Sequence, residues 1–521
     1  MLLAQTISPL PFRQWLWQDK ENKRLLCFSL VIMAITFGWL KYLYPYPNFM
    51  PPDSENYLQA AANNDFINVW PIGYSKFLRI ISVFTRSHLI LVLTQYILQS
   101  FSLLYFIFSM RYLLSPSKWL FRIILLISVM NPLLPHIANF VSSDCIFVSL
   151  SLIWFTQLLW IIYNSNSTLL YLHALIVVLA FTVRFTAIYY PFISVAVILS
   201  SSMPAIIKWK GAGAIALFIL IFIGRTQYEY KTRTGTIQYS AFGGWQLAAN
   251  ALYGYAWAKP DKEEEVPDGF EELHTIVKQH MDSVRHLINR PDKDPGIYYL
   301  WDFKSPLRIY LDKQIAKSKN KTFFENWAAV APLYNYYGRW LIKKYPRPFI
   351  LHFAWPNLIR YYNPPVFFMG YYNLSDNKVE PVTVSWFQWK NNKLSTRTKD
   401  HKINIMDYCC TLVAILNPAF LISAIFFISM GGFQRSARAY VKMLGCMQIV
   451  WLCNTVFSVL SAPIELRYHI FPVIITGPFC LFFIIKTVHL FESANKTIYN
   501  KTLHYETILR SDHPANDGQL L

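Results

Sequence analysis

DCIFVSLSLIWFTQLLWIIY, residues 144–163, decides the fold class. After Asp144 the stretch carries no further charge, and wound as an α-helix it spans about 30 Å, the thickness of a bilayer's hydrocarbon core. Working outward, similar apolar runs fall at 25–44, 88–110, 119–140, 168–185, 186–204, 211–226, 404–430, 438–461 and 468–491, so the sequence predicts about ten spans. The fifth to seventh are short or closely joined. Composition agrees: 54% of residues are hydrophobic and only 15% charged, and the mean hydropathy is +0.28. These values exclude a set of soluble domains, a disordered chain and a collagen-like repeat. All seven Cys lie in or beside apolar runs, which excludes a disulfide scaffold. The net charge of +19 would suggest nucleic acid on a soluble chain. On a membrane protein it fits anionic or phosphorylated lipids, and no nucleic-acid partner is expected.

Positive charge in short loops marks the cytoplasmic side. Arg13 to Arg24, Arg111 with Lys118 and Arg122, Lys208 with Lys210, and Arg435 with Arg438 share one side if ten spans alternate. Both termini are then cytoplasmic. The first span follows Lys20, Lys23 and Arg24 without a small-residue cleavage site, so it reads as an uncleaved anchor. The expected organisation is a transmembrane module at 1–226 with a first outer loop at 45–87, an extracytoplasmic helical or interfacial region at 227–403, C-terminal spans at 404–491 and a cytoplasmic tail at 492–521, polar and poorly ordered after about residue 495. In the outer region Leu273, Ile276, Val277, Met281, Val284, Leu287 and Ile288 recur at helical spacing. That helix would pack on a small domain or lie on the membrane. The Trp- and Tyr-rich stretch 324–362, broken by Pro346, Pro348 and Pro356, reads as short helices at headgroup level.

Ionisable groups at a membrane face carry information because each costs several kcal/mol beside lipid unless compensated. Several gather on the outer side. Asp53 and Glu55 stand in Pro51-Pro52-Asp53-Ser54-Glu55-Asn56-Tyr57, Asp144 opens the fourth span, Arg184 sits where the fifth meets the sixth, and Glu465, Arg467 and Tyr468 open the last. Carboxylates beside guanidinium groups suit a reaction between a lipid-linked phosphate and a nucleophile that needs a base. Plainer roles exist for each: Asp144 as a helix cap, Arg184 as a snorkelling side chain, Glu465 and Arg467 as an interfacial ion pair. His136, His173 and His469 lack partners at metal-ligand spacing, and no zinc-type cluster is visible.

The pattern resembles the GT-C glycosyltransferases, integral membrane enzymes that use polyprenyl-phosphate-linked sugars, including protein O-mannosyltransferases and aminoarabinose transferases. The resemblance rests on Asp53 soon after the first span, Tyr57-Leu58, the turn Pro71-Ile72-Gly73-Tyr74, Asp144 opening the fourth span, Arg184 within a mid-chain pair of spans, and Arg467-Tyr468 before Pro472. Phe242-Gly243-Gly244-Trp245-Gln246-Leu247-Ala248-Ala249-Asn250-Ala251-Leu252-Tyr253 is similar to a stretch after the seventh span in some bacterial members. Ser75 stands where many members carry a second Pro, and 142–146 holds no Asp-x-Asp or Glu-x-Asp pair, which weakens any comparison with the metal-dependent oligosaccharyltransferases.

The resemblance implies an all-α polytopic fold and transfer of a sugar, with inversion, from a polyprenyl-phosphate donor to an extracytoplasmic hydroxyl on a glycan, lipid or protein. Asp53 would be the general base. Arg184 and Arg467 would grip the phosphate, each through two parallel hydrogen bonds, with Lys76 and Arg79 as further phosphate contacts. Glu55, Asp144, Glu465 and Tyr468 would contact donor or acceptor, and the aromatic segment 334–362 would hold the isoprenoid tail or stack on sugars. No cofactor is required, and a divalent metal is possible without being indicated. A bacterial inner membrane is the expected location; the sequons at Asn320 and Asn373 would matter only in an endoplasmic reticulum. The competing readings are a lipid-linked glycan transporter or flippase, and a surface-glycan polymerase or ligase. Transporters carry internal repeats and midplane polar sites, and this sequence has neither.

Overall fold

Every one of the ten apolar runs is helical in the computed structural model, which describes residues 10–164, 166–259, 265–318 and 321–511. Among the described residues eight helices are long and apolar enough to cross a bilayer: Lys20–Leu43, His88–Leu114, Lys118–Ala138, Asp144–Asn164, Ala205–Thr234, Ile405–Ser429, Arg438–Ser461 and Leu466–Glu492. The fifth and sixth runs form the shorter apolar helices Ser167–Val183 and Phe185–Ser200. The chain is therefore a polytopic helical membrane protein, and no named strand occurs among the described residues, only isolated bridges.

Exposure separates the helices by position. Lys20–Leu43 turns Phe28, Val31, Ile35 and Trp39 outward, as a helix at the bundle edge must in order to meet acyl chains. The helix Asp144–Asn164 is buried along nearly its whole length. It packs on His88–Leu114, Ser167–Val183 and Arg438–Ser461. Polar groups inside it are all matched, since an unpaired one in hydrocarbon would cost several kcal/mol. Trp154 Nε1 donates to Ser194 Oγ at 2.9 Å, His173 meets Ser194 at 2.9 Å and Gln157 at 3.1 Å, and the Tyr190 hydroxyl lies 2.7 Å from Ser151 Oγ. These bonds give His173 a packing role. They also fix the central helix whose first residue is Asp144.

The stretch expected as one outer region folds as two pieces. Residues 241–353 enclose a core of their own, built on the helices Ala241–Tyr255 and Ala331–Lys344. Small residues let those two backbones touch: a Cβ on Gly244 would strike the Ala331 carbonyl, and one on Gly338 would lie 2.9 Å from the Ala248 nitrogen. The amphipathic helix Glu271–Arg285 buries Leu273, Ile276, Val277 and Met281 in this core and buries Val284 as well, while Leu287 and Ile288 lie past its end and are exposed. The stretch 324–362 does form short helices, with Pro346 and Pro356 in their first turns. Residues 361–403 instead join the core of the membrane helices. They return to the end of the first span and the loop after it, through Arg397 N to the Leu43 carbonyl at 2.9 Å and Asn373 N to Asn48 Oδ1 at 2.7 Å.

One expectation changes, and one sequon is placed. The expected poorly ordered stretch after about residue 495 is helical as far as it is described, because the last helix continues from Ile470 to Ser511, and 512–521 lie outside the described residues. Nothing between 492 and 511 is Pro or Gly, so no residue there interrupts the helix. Asn373 is buried, with its amide donating to the carbonyls of Asp376 and Lys378, which closes that sequon to modification. Asn320 lies outside the described residues.

Candidate functional site

Three separate backbone ties bring distant parts of the sequence to one end of the bundle. The first joins the 45–52 segment to the 139–143 link: Asn48 N donates to the Asn139 carbonyl at 2.8 Å and Val141 N to the Asn48 carbonyl at 3.0 Å. Ser54 Oγ then accepts from Met50 N and donates to the Val141 carbonyl, both at 2.8 Å, and the Tyr57 hydroxyl reaches Ser143 Oγ at 2.9 Å. The first turn of the helix Asp53–Asn63 is thereby fixed beside the first turn of Asp144–Asn164. The second tie is Gly73, where a Cβ would lie 2.6 Å from the Thr182 carbonyl oxygen; only a bare Cα lets the helix Gly73–Phe84 seat against the residues before Arg184. The third holds the link before the last span. Asn357 donates to the carbonyls of Val459 and Ala462 at 3.0 and 2.8 Å and accepts from Ile464 N, while Asn250 donates to Leu460 and Ser461.

The result is a buried ionic cluster around Arg467. Its Nη1 lies 3.1 Å from Asp53 Oδ2 and 3.8 Å from Asp144 Oδ2, its Nε lies 3.0 Å from Glu465 Oε2, and its Nη2 donates to the Tyr468 hydroxyl at 3.0 Å. Arg184 pairs with the other oxygen of Asp144 and faces the Tyr468 ring. Each of the five charged side chains is at most 18% exposed. Three acids face two guanidiniums, so one acid must hold a proton for the cluster to be neutral. Glu465 is suited to that part: burial pushes its carboxyl above the ordinary range, and the opposing pull of Arg467 does not cancel it. Arg467 has donors committed to Asp53, Glu465 and Tyr468. Arg184 has one ion pair and more N–H groups left to offer a ligand.

Two hollows meet at this cluster. One, of about 400 Å³, lies between the membrane helices and is walled largely by apolar groups, including Phe147, Val148, Ile188, Phe457 and Phe471, with Arg184 and Asp144 among its few charges. The other, of about 810 Å³, lies between the helix Asp53–Asn63 and the 241–353 unit. Asp53, Trp70, Phe242, Gln246, Arg467 and Tyr468 line both. An acid, a guanidinium and a phenol thus stand where a ligand from each hollow would touch the other. Among the described residues no three His, Cys, Asp or Glu side chains gather as a metal-ligand set; the three acids here converge on Arg467.

Asp53, Asp144, Arg184, Glu465, Arg467 and Tyr468 are therefore brought together. Lys76, Arg79 and Glu55 are not. Lys76 binds the Asn64 carbonyl and amide, and Arg79 donates to the carbonyls of Ala61 and Ala62, so both fasten the end of the helix Asp53–Asn63. Glu55 lines neither hollow. Its carboxyl is pushed up to about 7, mainly by burial, with Glu380 and Asp53 adding to the effect and a backbone hydrogen bond opposing it. The aromatic segment 334–362 also misses both hollows, because Tyr334, Tyr337, Phe353 and Tyr361 are spent on packing. Residues absent from the sequence expectation as site groups are Tyr57, Trp70, Gln246 and Asn250. Trp70 precedes the Pro71-Ile72-Gly73-Tyr74 turn and the other three lie in stretches quoted above, so position was the available signal.

Searches of the chain against family models, curated proteins and solved structures found no match.

Proposed function

We propose that this protein is a GT-C-type membrane glycosyltransferase that moves a sugar from a polyprenyl-phosphate donor to an acceptor hydroxyl, with Asp53 as general base. The observation that carries the reading is the shared wall: Asp53 and Arg467 border both hollows, and Arg184 stands in the one enclosed by membrane helices. An isoprenoid chain suits the apolar wall of that hollow, and the adjoining phosphate suits Arg184, whose fork can hold two oxygens. The acceptor enters through the other hollow. Its hydroxyl oxygen bonds to the anomeric carbon on the face opposite the phosphate while the carbon–oxygen bond to the phosphate breaks. The bonding pair leaves on the phosphate oxygen, and the hydroxyl proton passes to Asp53. The configuration at the anomeric carbon inverts.

In this reading Arg467 orients Asp53 by the 3.1 Å ion pair and keeps it at the junction. The guanidinium groups also offset the charge that grows on the departing phosphate. Asp144 sets the position of Arg184, and Gln246 and Tyr468 offer hydrogen bonds at the point where the substrates meet. The site would face away from the cytoplasm of a bacterial inner membrane, as the loop charges suggest.

The test is to incubate the purified protein, wild type and Asp53→Asn, with a panel of polyprenyl-phosphate sugars and to follow release of polyprenyl phosphate. The reading expects release by the wild type and its near-complete loss in the variant. Equal release by both would remove Asp53 from the chemistry, and binding without release for every donor would favour a lipid-linked glycan transporter.

A further inference from the structure

The domain-side hollow has a lining that narrows the acceptor. Trp70, Phe242 and Trp301 form one continuous wall, with ring centroids 4.4 Å apart for the first pair and 6.4 Å for each of the other two. At the mouth Phe303 is 74% exposed and Phe323 51% exposed, and Arg308 lies over both rings at 5.0 and 4.9 Å. Between these rings stand amides and charges, among them Asn56, Gln59, Asp65, Arg233 and Gln246. Trp70 adds a separate observation. Its Nε1–H is buried with no hydrogen-bond partner, and the ring borders both hollows. A buried donor left unmatched costs stability, and a ligand that accepts from it would remove that cost.

An acyl chain would cover these amides and charges, which pair with one another as in Arg233–Asp65 and Gln246–Asn250, with hydrocarbon that offers their remaining donors and acceptors nothing. A peptide would seek a strand edge or another run of backbone groups, and among the described residues no named strand borders the hollow. A sugar ring answers both features: its C–H face lies on an aromatic plane while its rim of hydroxyls meets amides, carboxylates and an indole N–H. The volume of about 810 Å³ admits several sugar units. We infer that this hollow binds a carbohydrate acceptor, stacked on the wall formed by Trp70, Phe242 and Trp301, with the Trp70 indole N–H donating to the unit that reaches Asp53. This deepens the transferase reading and rests on it for the direction of the reaction, but the binding claim is tested separately.

The experiment uses the full chain in lipid nanodiscs. Neutral tetrasaccharides of mannose, glucose, galactose and arabinose are titrated by calorimetry, with a Ser/Thr-rich peptide as the competing acceptor and geranylgeranyl phosphate as a probe of the other hollow. At least one tetrasaccharide should bind saturably. Trp301→Ala should weaken it at least about tenfold, the scale of a lost ring contact, and Phe303→Ala, at an exposed position that tolerates truncation, should weaken it severalfold. Geranylgeranyl phosphate should bind wild type and both variants alike. Failure of every tetrasaccharide to bind, binding that ignores both substitutions, or peptide binding that depends on them would overturn the inference. Saccharide binding without phosphate binding would leave the inference standing and remove the transferase reading; the reverse would do the opposite.

Discussion

Two ionic clusters occupy opposite ends of the first membrane helix, and they are near inversions of one another. At the start of Lys20–Leu43 one carboxylate, Glu21, sits among three cations: Arg122 at 2.9 Å, Arg111 at 3.5 Å and Lys118 at 3.6 Å. Past its other end Arg467 sits among Asp53, Asp144 and Glu465, with Arg184 on the far oxygen of Asp144. Surroundings set them apart. Lys118 and Arg122 are 77% and 59% exposed, whereas all the acids around Arg467 are buried and that cluster borders two hollows. Excess positive charge in short loops is what membrane insertion demands and needs no ligand to explain it. Three acids and two guanidiniums buried beside empty space have no such explanation, and groups with perturbed surroundings in a cleft mark sites of chemistry.

That contrast can be broken in four ways. The largest effect should come from Asp53→Asn, which removes the base while keeping the shape; transferase turnover should fall by about 10²–10⁴-fold, read as polyprenyl phosphate release at saturating donor. Next, Arg467→Met leaves the acids without their common partner. Breaking a buried pair costs about 3–5 kcal/mol, so the thermal midpoint in detergent should drop steeply. Gly73→Ala should follow at about 1–3 kcal/mol, because the added methyl meets the Thr182 carbonyl. Smallest should be Glu21→Gln, with a loss of about 1 kcal/mol that shrinks further in high salt, since two of its three cations, Lys118 and Arg122, are exposed. If Glu21→Gln proved as damaging as Arg467→Met, burial would not be what separates the two ends.

Glu55 sharpens the same comparison through pH. Its folded value of about 7 stands above the ordinary 4.5. As pH rises through that window the unfolded chain gives up its proton first, so the folded state binds more protons and stability falls; above about pH 7 the dependence flattens. Glu55→Gln should remove the slope and raise the thermal midpoint at pH 8 relative to wild type. A wild-type profile that rises between pH 5 and 7 would contradict this assignment.

How much was legible in the sequence follows from which signals are local. A charge inside or beside an apolar run stands out, as Asp144, Arg184, Glu465 and Arg467 do, and Asp53 stands out only by following the first span closely. Lys76 and Arg79 mislead because proximity to the Gly73 turn says nothing about direction. Tyr74, Ser75 and Leu78 form the buried face of that helix, and the two cations reach back to Asn64, Ala61 and Ala62. Aromatic residues carried the least information. They make up 17% of the chain, and whether a given ring packs a core, as Tyr334 and Tyr337 do, or borders a hollow, as Trp70 and Trp301 do, depends on contacts far apart in sequence. The split of the stretch 227–403 was equally hidden, because it turns on hydrogen bonds from Asn373 and Arg397 to the end of the first span.

The most direct measurement is a cryo-electron microscopy structure of the Asp53→Asn protein with a bound polyprenyl-phosphate sugar. The account expects the phosphate in the hollow between the membrane helices, with Arg184 on its oxygens, the anomeric carbon turned toward residue 53 and the sugar at the junction of the two hollows. A phosphate held instead by Arg111, Lys118 and Arg122 at the other end of the bundle, with the Arg467 hollow empty, would contradict it.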